Sequence, residues 1–473
     1  MIGRLAFRSL TAHPVRSAVL AAGFGVGVGV MAILLGVAQI VLEQAQSPAL
    51  VGGGDVLIRL NPQVPARLLL TGTLQSDALR NRTRIASPFH TANLYLIAKG
   101  KTTRVAARGG IPSLERSLGD PETSAVERWR DAEADVTWAR ETPERVLRQI
   151  DRFHPIPDAP DWASSWAEWL YFNGRSSDAR FYLTFLVGPR SPDGGRSAGV
   201  RLQLERNGRM TTFGSAARVT EEEAMQAPDL TIGASTVRLI GMDYHIHLDL
   251  EDGSGHRARG DLVLRATAGR LVPPVQIAGA RGWLTGYVVP VMGGSLTGTL
   301  DVNGAPVSLD GTGYHDHNWG FWQGVSWQWG QVQLDPSTLP GADRGPTKSD
   351  QLSFIYGRVF PPADAADPDR FPGFVGALGP DGPLGYATNV QIVETNDSAG
   401  KPRTIDVHAR SVSLELSLRF DVTSITQTHM AQGPLGNGID FLQLRGDYTV
   451  KGRAAGRSVD FRAAGAAETF RGR

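Results

Sequence analysis

The sequence predicts a mainly β protein: two β-barrel or β-sandwich domains, preceded by a helical connector and one N-terminal transmembrane helix. Three observations carry this. From residue 161 onward, short apolar or alternating runs recur, each closed by Gly, Pro or a turn such as Asn207-Gly208 or Asp252-Gly253. The 56 glycines and 29 prolines are spread along the chain without a strict repeat, which suits many short strands joined by turns. The one long uncharged apolar run, Ser17 to Leu42, stands at the N-terminus.

At 473 residues the chain exceeds one compact core, since domains hold roughly 100 to 200 residues each. Lys and Arg total 48 against 47 Asp and Glu, so net charge offers no polyanion steering and nucleic acid is not expected as a partner. The absence of cysteine excludes disulfides, thiolate metal ligands and cysteine nucleophiles.

Residues 1–45 form the expected membrane anchor, because about 20 apolar residues cross a hydrocarbon core as a helix. Arg4, Arg8 and Arg16 precede the run and Glu43 follows it, so the positive-inside bias puts the N-terminus in the cytoplasm and the body outside, in the periplasm of a Gram-negative cell. A cleaved signal with Gly36-Val37-Ala38 at its cleavage site is the rival reading. Gly23, Gly25, Gly27 and Gly29 give two small-xxx-small spacings, suited to close approach of another helix in lipid. The segment Leu5 to Leu10, then His13-Pro14-Val15-Arg16 and the apolar run, resembles the first helix of ABC-transporter permeases of the lipoprotein-release and macrolide-export type. That resemblance, extending to Gly53-Gly54-Asp55-Val56-Leu57-Ile58, implies ABC-transporter subunits as partners.

Residues 46–110 read as a small β element, with strands at Asp55 to Leu60 and Thr91 to Ile97, the latter turning at Lys99-Gly100-Lys101 into Thr103 to Ala107. Residues 111–160 read as a helical connector and Pro-rich linker. Pro121 to Arg130 and Thr142 to Arg152 are charged with apolar residues at helical spacing; Thr142-Pro143 supplies an N-cap and first-turn proline, and Val146, Leu147 and Ile150 share a face. The first β domain is set at 161–300 and the second at 301–473. Asp335 to Pro346 and Pro361 to Pro372 read as long loops.

The most informative run is Gly313-Tyr314-His315-Asp316-His317-Asn318-Trp319-Gly320. In an extended strand Tyr314, Asp316 and Asn318 face one way and His315, His317 and Trp319 the other. If the first face looks into a barrel, Asp316 is a carboxyl group in apolar surroundings beside a phenol, with its pKa raised. If the second does, two imidazoles are presented. Trp319, Phe321, Trp322, Trp327 and Trp329 cluster nearby, with Trp169 upstream, and together with Asp and two His they suggest an apolar pocket holding a few polar groups. His245-Ile246-His247 and His315-Asp316-His317 are both His-x-His pairs, so His245, His247, His315 and His317 form an alternative metal set. No serine elbow, phosphate loop or dinucleotide fingerprint is present.

Glu168-Trp169-Leu170-Tyr171-Phe172-Asn173-Gly174, Tyr287-Val288-Val289-Pro290 and Gly311-Thr312-Gly313-Tyr314-His315-Asp316-His317-Asn318-Trp319-Gly320 together resemble the carotenoid 1,2-hydratase (hydroxyneurosporene synthase) family and its lipocalin-like relatives, over roughly residues 160–473. The resemblance implies two lipocalin-like domains enclosing an apolar tunnel for a hydrophobic isoprenoid or lipid. It also implies acid-catalysed chemistry on an alkene without a cofactor. Asp316 occupies the position of the proton donor and Tyr314 that of the tyrosine positioning it, with His317 in the same block. Tyr287 stands where hydratases carry a histidine paired with a tryptophan, a departure that bears on water activation. Trp169, Trp319, Trp322, Trp327 and Trp329 are the expected substrate-facing aromatics. A non-catalytic lipid-binding module beside an exporter is the alternative.

Overall fold

The computed structural model describes residues 11–46, 56–58, 82–98, 101–119, 128–139, 142–192, 194–334, 351–365, 373–380, 382–430 and 439–471. The chain divides into one unit of residues 1–59 and 84–139 and another of residues 60–83 and 140–473.

In the first unit, helix α1 (Pro14–Gln46) contains the window Pro14–Leu35, of mean hydropathy 2.4 and with none of it buried, long and apolar enough to cross a membrane. Strands β1 (Phe89–Ala98) and β2 (Lys101–Gly110) pair antiparallel as the expected hairpin, from Ala98 opposite Lys101 to Phe89 opposite Gly110. Two short helices follow, α2 (Pro112–Leu118) and α3 (Glu133–Ala139). Val56 to Ile58 carry no strand, and the rest of that expected strand lies outside the described residues. So does most of the expected helix from Pro121 to Arg130.

The second unit opens with helix α4 (Pro143–Ile150), whose start is the one expected: the Thr142 hydroxyl accepts from the Arg145 N–H at 3.3 Å, and Val146, Leu147 and Ile150 are buried. A further turn of helix, α5 (Glu221–Ala224), carries a capping box from Thr220 to Glu223.

Twelve strands then form the first sheet. These are β3 (Trp166–Arg175), β4 (Ala179–Arg190), β5 (Arg196–Arg206), β6 (Arg209–Val219), β7 (Leu230–Ile232) and β8 (Ser235–Ile240). They continue with β9 (Asp243–Glu251), β10 (Arg257–Arg265), β11 (Val272–Ala278), β12 (Leu284–Val302), β13 (Ala305–Ser308) and β14 (Gly311–Phe321). Eight of them close on themselves in the order β9-β10-β12-β14-β3-β4-β5-β6, the last joint being the bridge of Gly214 with Glu251. A closed ring leaves no free edge. The second sheet has nine antiparallel strands, in the order β18 (Gly382–Ala387), β17 (Phe374–Gly379), β16 (Ser353–Phe360), β15 (Ser326–Gln333), β23 (Arg457–Arg471), β22 (Ile439–Ala454), β21 (Leu414–Met430), β20 (Pro402–Arg410) and β19 (Asn389–Asn396). It is a nearly closed barrel with unjoined end strands.

The first sheet therefore runs to Phe321, past the division expected at residue 300, and β14 with its motif belongs to the first barrel. The expected Asn207-Gly208 turn is present: both residues have positive φ, 50° and 73°, between Arg206 and Arg209, as a two-residue hairpin loop requires.

Strand β9 alternates in the simple way, Tyr244, Ile246, Leu248 and Leu250 buried and His245 exposed. Strand β3 does not: Trp166 to Gly174 are buried without interruption. One of its faces fills the ring and the other is covered by the second sheet, so both are buried and mostly apolar.

Candidate functional site

Strand β14 lies between β3 and β12. Tyr314, Asp316 and Asn318 stand opposite Asn173, Tyr171 and Trp169 of β3, and Asn318 also opposite Tyr287 of β12. This face looks out of the closed ring and onto the second sheet. Between the two sheets is a cleft of about 360 Å³, lined among others by Trp169, Trp322, Trp327, Trp329, Asp316 and Glu468. The face with Asp316 is thus the ligand-accessible one, but the space lies between the barrels and not inside the first.

Aromatic rings make the wall. Trp322 is 4.6 Å from Trp169 and 5.5 Å from Trp327, and Trp327 stacks on Phe470 at 3.9 Å. The Trp322 indole donates to the carbonyl of Ala167 at 2.8 Å, which fixes its plane. Within the wall runs a directional chain of hydrogen bonds. The Trp329 indole N–H donates to the Tyr287 hydroxyl at 2.9 Å, and the Tyr287 and Tyr314 hydroxyls are 2.6 Å apart. Tyr314 donates to Asp316 Oδ2 at 2.9 Å, and the Asn318 amide donates to Asp316 Oδ1 at 2.8 Å. Because the Tyr314 hydroxyl proton is directed at Asp316, Tyr287 is the donor in its hydrogen bond with Tyr314.

Burial pushes the Asp316 carboxyl well above its ordinary range, against the pull of the Tyr314 hydrogen bond. Burial likewise pushes the Tyr287 and Tyr314 hydroxyls up, so both remain donors. A second carboxyl lies on the opposite wall: Glu468 of β23 accepts from the Tyr171 hydroxyl at 3.1 Å, and burial raises its pKa to about 7. The site therefore holds a carboxylic acid whose pKa is pushed well above its ordinary range, with two donors ready to stabilise its carboxylate, and a second acid that titrates near neutral pH.

The other face of β14 turns into the ring, where it meets Asp151 and His154 from the end of the connector. His315 Nε2 is 2.8 Å from Asp151 Oδ2 and its Nδ1 is 2.9 Å from the Tyr171 carbonyl, with the ring stacked on Phe172 at 4.1 Å. The Tyr244 hydroxyl donates to the same Asp151 oxygen at 3.0 Å. His317 Nε2 is 2.9 Å from Glu168 Oε1, and its Nδ1 is 3.3 Å from Asp151 Oδ1 without hydrogen-bond alignment. Despite burial, the two carboxylates raise the His317 pKa to about 9, so it is an imidazolium clamped between anions. Asp151 and Glu168 are held below the usual carboxylate range in spite of burial, Asp151 by His315 and then His317, Glu168 by His154 and then His317.

Three expectations are corrected here. His317 does not reach the cleft, because it shares the inner face with His315. Trp319 is also on that inner face, stacked on His154 at 4.2 Å, and does not line the cleft. The four-histidine metal set is not brought together: His245 is exposed on the outside of β9, and His247 pairs with Asp261 at 2.8 Å, whereas His315 and His317 are fully buried within. His154, Glu168 and His317 do place three ligand atoms within 4.8 Å of one another. Both histidines are already hydrogen-bonded to Glu168 Oε1, at 2.7 and 2.9 Å, and protonated His317 offers no lone pair to a cation.

Tyr314, Asp316, Tyr287, Trp169, Trp322, Trp327 and Trp329 do come together. Sequence reasoning missed Glu468, Asp151 and the roles of Glu168 and Tyr171. The one local signal for Glu468 was its strand spacing with Phe470 and Ala466, a lone acid on an apolar face.

No protein family matches the chain, and no curated protein does. Among solved structures the chain is similar to a protein described as an AttH from Nitrosomonas europaea, at 12% identity and a TM-score of 0.39, over 67% of this chain and 99% of that one. It is similar also to CghA crystallised with Sch210972, at 11% identity and a TM-score of 0.41, over 70% of this chain and 94% of that one. Likenesses this loose carry no argument about chemistry.

Proposed function

We propose that the cleft binds a hydrophobic, alkene-bearing isoprenoid or lipid and that Asp316 protonates its double bond, as in carotenoid 1,2-hydratase-like chemistry. The observation that supports this reading is a buried, doubly hydrogen-bonded carboxyl group set in an aromatic wall, with its pKa pushed well up by that burial. Burial keeps the proton on Asp316 until an alkene takes it; the donors Tyr314 and Asn318 then stabilise the carboxylate left behind. The tertiary cation lies against Trp169, Trp322, Trp327 and Trp329, whose faces attract positive charge. Addition of water, with return of its extra proton to the Asp316 carboxylate, gives hydration; loss of a neighbouring C–H proton to that carboxylate gives isomerisation, and attack by a second alkene of the same chain followed by proton loss gives cyclisation. Tyr287 is engaged by Trp329 and Tyr314, so a water is not positioned by a histidine at this point.

The test uses the full chain with squalene or neurosporene, acyclic isoprenoids with terminal trisubstituted alkenes, in D₂O. Deuterium should enter at the former alkene CH beside the tertiary carbon, and Asp316→Asn should slow its entry by at least about 100-fold while the protein remains folded. Unchanged exchange in the variant would remove Asp316 as the acid. The second reading, a non-catalytic lipid-binding accessory to an exporter, draws on the apolar α1 helix; it gains if the ligand is bound and returned without deuterium.

A further inference from the structure

We propose that the same cleft also holds an oxyanion: Arg201 of β5 takes the carboxylate or phosphate head of a lipid-like ligand whose double bond lies at Asp316. This rests on the cleft being a ligand site, as argued above, and adds the ligand's head group and its orientation.

Asp316 stands opposite Tyr171, Tyr171 opposite Thr184, and Thr184 opposite Arg201. Residues directly opposite on paired strands share a face, so the four form one row across β14, β3, β4 and β5, and all four line the cleft. Three inter-strand steps of roughly 4.8 Å set the two ends of the row about 14 Å apart. Arg201 is half-buried there and donates to the Thr428 hydroxyl at a long 3.4 Å. Among the described residues no carboxylate pairs with it. Arg445, in contrast, is answered across the same inter-sheet boundary by Glu205 at 2.5 Å.

A guanidinium keeps its charge at any ordinary pH, and withdrawing it from water without a counter-charge is costly. Its planar fork matches a carboxylate or a phosphate through two parallel N–H···O bonds. The polarity of the row then orients the ligand. Glu468, bonded to Tyr171 one step from Asp316, repels an anion at that end, so the head goes to Arg201 and the apolar chain runs along the tryptophan wall toward Asp316.

The experiment compares three probes with one chain and different heads: geranylgeraniol, geranylgeranoic acid and geranylgeranyl phosphate. Each is titrated against the full-length protein in phosphatidylcholine nanodiscs at pH 8, with tryptophan fluorescence as the readout and empty nanodiscs subtracted. The acid or the phosphate should bind at least about tenfold tighter than the alcohol, and the order of the two identifies the oxyanion. Arg201→Gln should bring that ratio to about one, with Arg201→Lys between. Equal binding of the three heads by the wild type, or a preference that survives in Arg201→Gln, overturns the inference and leaves the cleft reading standing. If none of the three binds, the cleft reading falls and takes the inference with it. Should Arg201→Gln not fold, the wild-type ratio and Arg201→Lys decide the matter.

Discussion

Asp316 has a donor on each oxygen and an apolar wall around both. Burial raises its pKa, the Tyr314 hydrogen bond lowers it, and the charge of Glu468 raises it again. These opposing effects give two predictions of opposite sign for the pH at which the acid is lost. In its proposed role as general acid Asp316 acts only while protonated, so activity should fall as pH rises through its folded-state pKa. Tyr314→Phe removes a stabiliser of the carboxylate and should move the falling limb to higher pH while lowering turnover by about 10- to 100-fold. Glu468→Gln removes a like charge that is present only above its own pKa of about 7, and should move the limb to lower pH. A ¹³C NMR titration of the Asp316 carboxyl reads both shifts without a substrate. If both variants shift the same way, Glu468 does not act on Asp316 as a charge.

Strand β14 holds two kinds of chemistry because its residues alternate between faces. On the ring side His317, raised from 6.5 to about 9, binds its proton more tightly folded than unfolded. Its contribution is therefore fully present below about pH 6.5 and is lost as pH rises through about 9. The urea midpoint of residues 142–473 should fall between pH 7 and pH 9.5, and His317→Gln should flatten that slope. A flat wild-type profile would mean the imidazolium is not what holds this end of the ring. Asp151→Asn leaves His315 and His317 with one anion fewer in a buried network, and should cost about 3 to 5 kcal/mol. The separation of Tyr314 and Asp316 from His315 and His317 was legible from period-two spacing alone. Which face meets the cleft was not, because β3 and β14 are buried on both sides and carry polar groups on both, so neither face is marked as the outer one. Nor were the partners legible: Asp151 lies 164 positions from His315, and Glu468 lies 297 from Tyr171. Local pattern carries no information at that range. Short strands and Asn-Gly turns were readable because each is decided by neighbouring residues.

At the scale of the whole second unit, the two sheets share a boundary that neither completes alone. The outer face of β14, β3, β4 and β5 presents Trp169, Tyr171 and Tyr182, all buried, and what covers it is the face of β15, β22 and β23 bearing Trp329, Glu468 and Phe470. The row from Asp316 to Arg201 is one side of the cleft, and the second sheet is the other. Exposing the first face would put large aromatic surface into water, at about 25 cal/mol per Å² of apolar area. The inter-sheet pair of Arg445 with Glu205 would also be broken. Residues 142–473 should therefore unfold as one cooperative body, with calorimetric and van't Hoff enthalpies equal. Trp329→Ala, at the boundary, opens a cavity on one side and removes the indole donor to Tyr287 on the other. It should cost about 3 to 5 kcal/mol and shift that single transition without splitting it. Two resolved transitions, with only the second-sheet one moved by Trp329→Ala, would show that the barrels fold independently. The cleft would then be an interface between two bodies free to part, open to ligand by their separation and not by access along the tryptophan wall.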